Sequence, residues 1–572
     1  MSANAKGISI GRRKSLSRRQ LLGAGASAAV AAALGCASRT ATGTAGPGAT
    51  GQAPTGAAGA TTEELVFVNG RIHTIDRNNT VATMVSMRNG RFVAVGTGAP
   101  VPRPGVRIVD LKGRTVVPGI IDNHNHIVLM GNRPGYHTPL ENASSIRDVQ
   151  EILAARAAGI PRGAWITTIG GFHRNQLFPA AGTPRLPTLA ELDEAVPNNP
   201  VYISESFNGP SATNTPGRKF FESQAPPIPV ESDGSIATGA QGTGRATLAL
   251  RQTQLTPDQR KRGAIDALAY GLGLGVTTHL DQGAFQAANA PSDGAAHEDN
   301  YSMNLPFLAL RDEGRLSARL RINFLHQDAT PDLPTLRERI NNSFPFFGDD
   351  MVRTGGIGEF IAGGKAFAEA ARLLARAGWR AEVHSLSRTD FQQEIQDYEA
   401  AHKEASIASL RWVVAHVPFI TEDWVNRLKA LGGGLSLTSW RYLAGTPEQN
   451  GPPFRMIVDN GINAGMSSDG MQIAPMNPWL HMYYATTGLN ARQVLINGGQ
   501  QITRQEVLKL YTANNGWFLR EEDRIGTIEP GKLADLVVLS DDYFTAPDET
   551  LKKIRSVLTV VGGRIVHDAQ VL

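Results

Sequence analysis

The 572-residue sequence contains a single cysteine, Cys36, which excludes an intramolecular disulfide. It also lacks a large excess of either charge: 56 Lys and Arg residues and 52 Asp and Glu residues give a formal net charge of only +4. No basic stripe is interleaved with aromatic residues, as a nucleic-acid surface would require. The composition, 41% hydrophobic and 19% charged, is typical of a globular protein, and we expect no nucleic-acid partner.

One apolar stretch follows paired arginines near the N-terminus. Arg18 and Arg19 precede a run of Ala, Gly, Leu and Val residues that extends to Gly35. This run is too short and too rich in small residues for a membrane-spanning helix. Residues 1–36 are typical of a twin-arginine export signal, which predicts a periplasmic or cell-envelope protein. The alternative interpretation is a disordered basic tail.

The position of Cys36, at the end of the apolar run, is similar to a bacterial lipoprotein processing site. A lipid anchor at Cys36 is therefore one option, and a free exported protein is the other. Residues 37–63 are rich in Ala, Gly, Thr and Pro, a composition typical of a flexible linker.

Strand-like runs occur at both ends of the remaining sequence. Near its start they are broken by Asn69-Gly70 and Asn89-Gly90, which are hairpin signals. Similar runs return in residues 534–539 and 557–561. We expect the two ends to pair into one composite β-sandwich domain, formed by residues 64–117 and 525–572.

Residues 118–524 show a different pattern, in which apolar strands alternate with helices of about 10 to 15 residues. One helix is predicted over residues 365–377 and ends at Gly378, and a strand follows in residues 381–384. Repeated βα units predict an α/β fold, a (β/α)₈ TIM-type barrel. A doubly wound sheet is the alternative.

Histidines and a carboxylate stand at the ends of several of these strands. His124 and His126 close one apolar strand, and residues i and i+2 of a strand point to the same face. His384, His416 and Asp469 each follow a further apolar strand. In a barrel such strand ends converge on one face. Imidazole and carboxylate ligands suit a divalent metal, zinc above all, as one or two ions.

These motifs resemble the amidohydrolase superfamily, specifically the exported branch of its amidohydrolase family 3 group, which includes formamide deformylase-like enzymes. The resemblance covers about residues 64 to 572 and rests on the sequences at 118–126, 275–278, 465–469 and 526–539, with His384 and His416. It implies a metal-dependent barrel joined to a composite β-sandwich, with a small-molecule substrate.

By position, the resemblance implies a role for each ligand-type residue. His124 and His126 would be ligands from the first strand, and His384 and His416 ligands from strands five and six. Asp469 would be the carboxylate of strand eight, which binds metal and takes the proton from the attacking water as the catalytic base.

The chain departs from many relatives at Glu359, which stands where they have a carboxylated lysine on strand four. A glutamate is chemically similar to a lysine carbamate but has a shorter stem. Glu359 could therefore be a ligand that bridges two metals. In a one-metal site it could instead hydrogen-bond to a metal ligand or act as the general base. A third reading is a salt-bridged glutamate at a strand end.

Other polar residues fall in the predicted strand-end loops. We expect substrate contacts from His173, His279, Trp440 and Arg441, and their neighbours Arg174, Asn175, Asn208 and Asp281 are further candidates. Ordinary loop packing is the alternative for each. Relatives often have a histidine near residues 205–210, and its absence leaves the substrate open.

The leading functional hypothesis is hydrolysis of a C–N bond in an amide, formamide, carbamate or cyclic amide by metal-activated water. A metal-dependent lactonase or esterase would use the same ligands. A non-catalytic envelope binding protein is the remaining alternative, and the intact set of ligand residues argues against it. The oligomeric state stays open, a homo-oligomer included.

Overall fold

The computed structural model describes residues 64–98, 104–177, 183–206, 208–283, 302–471 and 473–572. The predicted signal segment 1–36, with Cys36, and the predicted linker 37–63 lie outside the described residues. Within the described ranges, no helix combines the length and the apolar composition needed to cross a membrane.

The strands are short, and most of those that flank the site are completely buried. In chain order they are β1 Glu64–Val68, β2 Arg71–His73, β3 Val81–Ala82, β4 Met84–Arg88, β5 Arg91–Gly96, β6 Val106–Asp110, β7 Thr115–Pro118, β8 Ile120–Asn125, β9 Tyr136–His137, β10 Ile166–Ile169, β11 Val201–Ser204, β12 Ser211–Thr213, β13 Ser235–Ile236, β14 Val276–Asp281, β15 Arg319–Phe324, β16 Val352–Ile357, β17 Glu382–Ser385, β18 Val413–His416, β19 Gly434–Thr438, β20 Asn463–Ser467, β21 Leu536–Leu539, β22 Ser556–Val561 and β23 Arg564–Asp568.

The helices are interspersed with these strands. They are α1 Ile127–Gly131, α2 Ile146–Ala158, α3 Leu189–Ala195, α4 Thr215–Glu222, α5 Arg245–Gln254, α6 Pro257–Gly273, α7 Leu305–Asp312, α8 Pro334–Asn342, α9 Phe367–Ala377, α10 Arg388–Glu404, α11 Glu422–Ala430, α12 Arg441–Ala444, α13 Phe454–Asn460, α14 Pro478–Thr487, α15 Arg504–Tyr511, α16 Asn515–Leu519 and α17 Asp548–Leu551. The predicted helix at 365–377 is α9, which begins two residues later and ends at Gly378 in the left-handed conformation.

Two four-stranded parallel sheets carry the predicted ligands. One has the order β16-β15-β14-β8 and the other β17-β18-β19-β20. Backbone pairing between Ile357 and Ala381 links β16 to the segment before β17. At the opposite edges of the two sheets, formed by β8 and β20, the N–H of Asp469 donates to the carbonyl of His124 at 2.8 Å. The alternation of strands and helices expected from the sequence is therefore an α/β fold.

A separate five-stranded sheet, of order β13-β12-β11-β10-β9, is inserted between β8 and β14. Its strands β9, β10 and β11 are parallel, and β12 and β13 are antiparallel additions. The sequence pattern did not separate this sheet from the two parallel sheets, because local periodicity identifies a strand but not the sheet that it joins. His173 follows β10 and thus lies beside the inserted sheet.

The two ends of the described chain share a sheet. The order β23-β22-β21-β7-β2-β3 places β21 antiparallel to β7, with Val537 opposite Val117. The strands β5-β4-β1-β6 form a second sheet. Buried side chains shared by the two segments include Phe67, Val116 and Leu558. The exact division into domains at residues 117 and 525 stays a prediction.

A buried ion pair fixes the C-terminal segment to the parallel sheets. Arg319 of β15 donates to both carboxylate oxygens of Asp535, at 2.7 and 2.8 Å. The carbonyl of Asp535 also accepts the N–H of Gly119, immediately before β8, at 3.0 Å. The start of the strand that bears His124 is thereby held in place.

Candidate metal centre

The six predicted ligands converge at the carboxyl ends of the parallel strands. β8 provides His124 and leads directly into His126, while β17 and β18 provide His384 and His416. Glu359 and Asp469 follow β16 and β20. His124, Glu359, His416 and Asp469 form a buried cluster whose ligand atoms all lie within 4.8 Å of one another. Of the six predicted ligands, His384 has the most exposed side chain, at 24%, and the other five side chains are buried.

Glu359 lies at the middle of this group. Its Oε2 is 3.0 Å from His124 Nε2, 3.2 Å from His384 Nδ1 and 3.3 Å from His416 Nε2. Its Oε1 faces His126 Nε2 at 3.6 Å. One carboxylate oxygen thus faces His124, His384 and His416, and the other faces His126, which follows β8.

Asp469 closes the other side of the cluster. Its Oδ1 is 3.3 Å from His126 Nε2 and 3.7 Å from His124 Nε2. His384 Nδ1 and His416 Nε2 are themselves only 3.0 Å apart. Two donors that each lie about 2.1 Å from one tetrahedral ion are roughly 3.4 Å apart. The donor spacings in this cluster therefore fit divalent metal ions.

Hydrogen bonds on the outer nitrogens orient the imidazoles. His126 Nδ1 donates to the carbonyl of Gly283 at 2.9 Å, because a carbonyl can only accept. His124 Nδ1 is 2.7 Å from Glu382 Oε1, and His416 Nδ1 is 3.0 Å from the hydroxyl of Thr438. With the proton on Nδ1, the Nε2 lone pair of each ring is directed at the cluster, as metal binding requires.

The electrostatics of the cluster favour a bound cation. Burial opposes ionisation of Glu359, but the charge of His384 and hydrogen bonds from His124 and His416 lower the pKa of Glu359 well below its usual value. Burial likewise opposes ionisation of Asp469, whose pKa is nevertheless lowered by His416 and His126. Two carboxylates held ionised in a buried site attract positive charge.

Two supporting acids were missed by the sequence analysis. Glu382 bonds to His124 and is held by Arg380 at 2.7 Å. Asp122 accepts the N–H of Ser468 at 3.0 Å, next to Asp469. The signal for Glu382 was its position two residues before His384 on β17, which places both side chains on one face of the strand.

Trp440 and Arg441, predicted to contact substrate, follow β19. The Arg441 guanidinium lies 4.0 Å from the centre of the Trp440 ring and 5.5 Å from that of Phe419. Asn175, in the short helical turn after β10, donates to the carbonyl of Leu443 at 3.3 Å. The turn after β10 therefore meets α12, and the substrate role of Trp440 and Arg441 stays a prediction.

The other two predicted contacts lie in different surroundings. His173 is partly exposed, and its Nδ1 accepts the N–H of Asn175 at 3.0 Å. His279 is completely buried on β14, with Nδ1 2.9 Å from the amide of Asn125, and it packs beside Gly271 of α6. Burial lowers the pKa of His279 to about 3, so its ring is neutral. The substrate contacts predicted for His173 and His279 stay predictions.

Asp281, a further candidate, has a structural task. Its Oδ1 accepts the N–H of Val128 at 3.1 Å and its Oδ2 that of Gly283 at 2.9 Å. Since Gly283 in turn accepts from His126, Asp281 helps to fix the backbone that orients this imidazole. Asn208 is exposed, and its carbonyl accepts the N–H of Gly239 at 2.8 Å.

Comparison with known proteins agrees with this geometry. Residues 107–567 match the model of the amidohydrolase family. The N-substituted formamide deformylase of Arthrobacter pascens is 24% identical over 551 residues, which cover 88% of this chain and 98% of that protein.

Solved structures show the same fold. An uncharacterised metal-dependent hydrolase from Pyrococcus horikoshii superposes with a TM-score of 0.58 at 18% identity, over 85% of this chain and 99% of that one. Atrazine chlorohydrolase from Arthrobacter aurescens, complexed with zinc, superposes with a TM-score of 0.52 at 16% identity. The superposition covers 88% of this chain and 95% of that one. These likenesses show a TIM-barrel-like α/β fold. The family match shows that the chain belongs to the amidohydrolase family, as a metal-dependent hydrolase that acts on carbon–nitrogen bonds.

Proposed function

We propose that the protein hydrolyses an N-substituted formamide or a related small amide. The observation that carries this proposal is the convergence of four histidines and two carboxylates, at the spacing of metal ligands, on a site that opens at His384. The similarity to a formamide deformylase over most of both chains supports the choice of substrate class.

We infer that the site would hold two divalent ions, zinc by the nature of its donors, and that Glu359 would be the ligand shared by both. Six donor groups exceed the four that one tetrahedral ion takes. Around Glu359, His126 and Asp469 lie 3.3 Å apart and His384 and His416 lie 3.0 Å apart. His124 lies near both pairs, 3.0 Å from Glu359 Oε2 and 3.7 Å from Asp469 Oδ1. The short stem of Glu359 suffices because its carboxylate already reaches both sets.

Three residues of the site have separate roles in the proposed hydrolysis, namely Asp469, Glu382 and Thr438. When bound, divalent ions activate water and polarise the substrate carbonyl. Asp469, ionised in this site, takes the proton from the attacking water and delivers it to the leaving nitrogen. Glu382 and Thr438 hold His124 and His416 in the required orientation throughout.

We also infer that the eight parallel strands close into a complete (β/α)₈ barrel. The pairing of Ile357 with Ala381 supports closure at one junction. At the other, the N–H of His126 donates to the carbonyl of Gly470 at 2.7 Å, beside the bond between Asp469 and His124. Closure would place β8, the first strand of the barrel, next to β20, the eighth, and hence His124 next to Asp469.

We propose that the protein is exported by the twin-arginine route to the periplasm or the cell envelope. The pair Arg18 and Arg19 before the short apolar run supports this route. Replacing both by lysine should keep the protein in the cytoplasmic fraction. Cys36→Ser should release the protein from the membrane fraction if Cys36 carries a lipid, and should leave its distribution unchanged if export yields a free protein.

The decisive experiment is metal stoichiometry in the wild type and in Glu359→Ala, measured by elemental analysis together with turnover. We expect two zinc ions in the wild type and at most one in the variant, with loss of turnover. One ion in both proteins would refute the bridging role. A panel of N-formyl, N-acyl, carbamate and lactone compounds separates amide from ester hydrolysis, and turnover of lactones alone would refute the proposed substrate class.

A further inference from the structure

A cavity of about 710 Å³ adjoins the metal centre on its open side. Glu359 and His384 of the centre contribute to its wall, together with the segment after β16 and the first half of α10. Cavities of this size are typical of sites for small organic ligands. The exposed face of His384 therefore looks onto a space that a substrate group could enter.

The wall next to the metal centre is largely apolar. It is lined by Phe360, Ile361, Ala362, Phe367, Ala368 and Val383. The Phe360 ring stacks against His384, with 5.2 Å between ring centres and 27° between ring planes. A hydrocarbon chain or an aromatic ring attached to the reacting nitrogen would be accommodated along this wall.

The opposite wall, on α10, is acidic. Oε2 of Glu394 is buried and makes no hydrogen bond of ordinary geometry within the described part of the chain, although the nearby Ser385 hydroxyl acts to lower the pKa of this carboxyl. Buried polar atoms are nearly always paired, because an unpaired buried oxygen costs free energy. An unpaired carboxyl oxygen that lines a cavity thus indicates a missing donor, which a ligand would supply.

The charges around Glu394 indicate what kind of donor this is. Asp390 and Asp397 line the same wall, and the basic side chains among the lining residues that the structure describes are Lys365 and His384. Asp390 already accepts the N–H of Ser387 at 3.0 Å, and Asp397 the amide of Gln393 at 3.2 Å. Glu394 is left to receive the ligand, in a surrounding with an excess of negative charge.

We propose that this cavity binds the nitrogen substituent of the substrate, and that the substituent is an apolar arm that ends in an ammonium group paired with Glu394. Glu394 is then the residue that determines specificity. The inference rests on the proposed function, because it assigns the substituent of the same amide substrate. As support, burial raises the pKa of Glu394 to about 8, and an adjacent ammonium group would bring that pKa down.

The test compares two formamides of matched length on the zinc-loaded full-length protein. N-(6-aminohexyl)formamide carries the ammonium group, and N-heptylformamide has a methyl group in its place. We expect the wild type to prefer the first in kcat/KM, mainly through KM. Glu394→Gln should reduce this preference roughly 10- to 100-fold, the range of a hydrogen bond to a charged group.

A matched control is Glu399→Gln on the same helix, which removes a carboxylate paired with Arg427 outside the cavity. This control should keep the wild-type preference. If Glu394→Gln does not fold, Ala368→Phe fills the cavity from α9 and should abolish the preference instead. Equal preference in the wild type and Glu394→Gln, or a wild-type preference for the heptyl compound, would overturn the proposal.

Direct binding separates this inference from the proposed function. If neither formamide is hydrolysed, the proposed function fails, and calorimetry with hexylammonium on the zinc-loaded protein still tests the cavity. Binding that is at least tenfold weaker in Glu394→Gln supports the ammonium site. Equal affinity in both proteins, or no binding to the wild type, overturns it.

Discussion

His124 and Glu382 are joined by a hydrogen bond of 2.7 Å between the imidazole Nδ1 and the carboxylate Oε1, with both side chains completely buried. Burial opposes ionisation of Glu382, but the charge of Arg380 and the bond to His124 lower the pKa of Glu382. An ionised Glu382 keeps the His124 proton on Nδ1 and leaves Nε2 to the metal centre.

Glu382→Gln should therefore weaken metal binding without removing a ligand. We expect the affinity for zinc to fall roughly 10- to 100-fold, as is typical when the partner of a metal-bound histidine is changed. Competition with a chromophoric chelator measures the affinity. Glu404→Gln, which breaks a surface ion pair with Arg376, should keep wild-type affinity. Equal affinities in all three proteins would show that Glu382 does not orient His124.

Asp469→Asn should abolish turnover while the fold persists. The amide cannot take a proton from water, and positioned proton transfer contributes typically about 10²- to 10⁴-fold to rate. Turnover is measured on the preferred formamide at saturating zinc, and circular dichroism reports the fold. Residual activity within threefold of the wild type would assign the proton transfer to another group.

Removal of metal should lower the thermal unfolding midpoint. A ligand that binds only the folded state stabilises it by about 2.7 kcal/mol when its concentration is 100 times Kd. Calorimetry before and after chelation measures the change, and added zinc should restore the midpoint. The double variant His384→Asn, His416→Asn should respond less to zinc. Identical midpoints with and without chelator would count against a resident metal.

Asp535→Asn should destabilise the contact between the C-terminal segment and β15. The substitution leaves the buried Arg319 without its paired charge, which costs roughly 3–5 kcal/mol in buried pairs. A lower midpoint of denaturant unfolding is the expected result. Glu151→Gln breaks the exposed pair with Arg147 and should change the midpoint little. Comparable midpoints for the two variants would show that the Arg319 pair contributes no net stability.

The pair of Arg455 and Glu506 predicts a pH-dependent contribution to stability. Arg455 donates to both oxygens of Glu506, at 3.0 and 2.9 Å, and lowers the pKa of Glu506 to about 2. A carboxyl with a lower pKa in the folded than in the unfolded chain stabilises the fold above the unfolded pKa. That contribution is lost as the pH falls toward the folded pKa.

The matched variant is Glu506→Gln, which removes the charge but retains a side chain suited to the capping box with Thr503. The wild type should be more stable than the variant at pH 7, and the difference should shrink between about pH 4.5 and pH 2. Urea unfolding at a series of pH values measures it. A difference that is independent of pH would exclude the ionised pair as its source.

Much of the fold and the set of candidate ligands could be predicted from the sequence. Helix α9 ends at Gly378 as its pattern indicates, and His384 and His416 occupy the ends of β17 and β18. These features are local, because strand ends and helix ends follow from apolar periodicity and from glycine. The inserted sheet β9–β13 was not predicted, since its strands have the same local pattern as those of the two four-stranded parallel sheets.

The sequence by itself determined which ligand types stand at the strand ends, because apolar runs interrupted by His, Glu and Asp are local chemistry. Only the tertiary structure decided how they are used. Glu382 is 258 residues from His124, and Asp122 is 346 residues from Ser468, yet each pair is hydrogen-bonded. The unpaired oxygen of Glu394 likewise becomes visible only once α10 is packed beside the centre. Such contacts depend on long-range packing, which no local periodicity encodes.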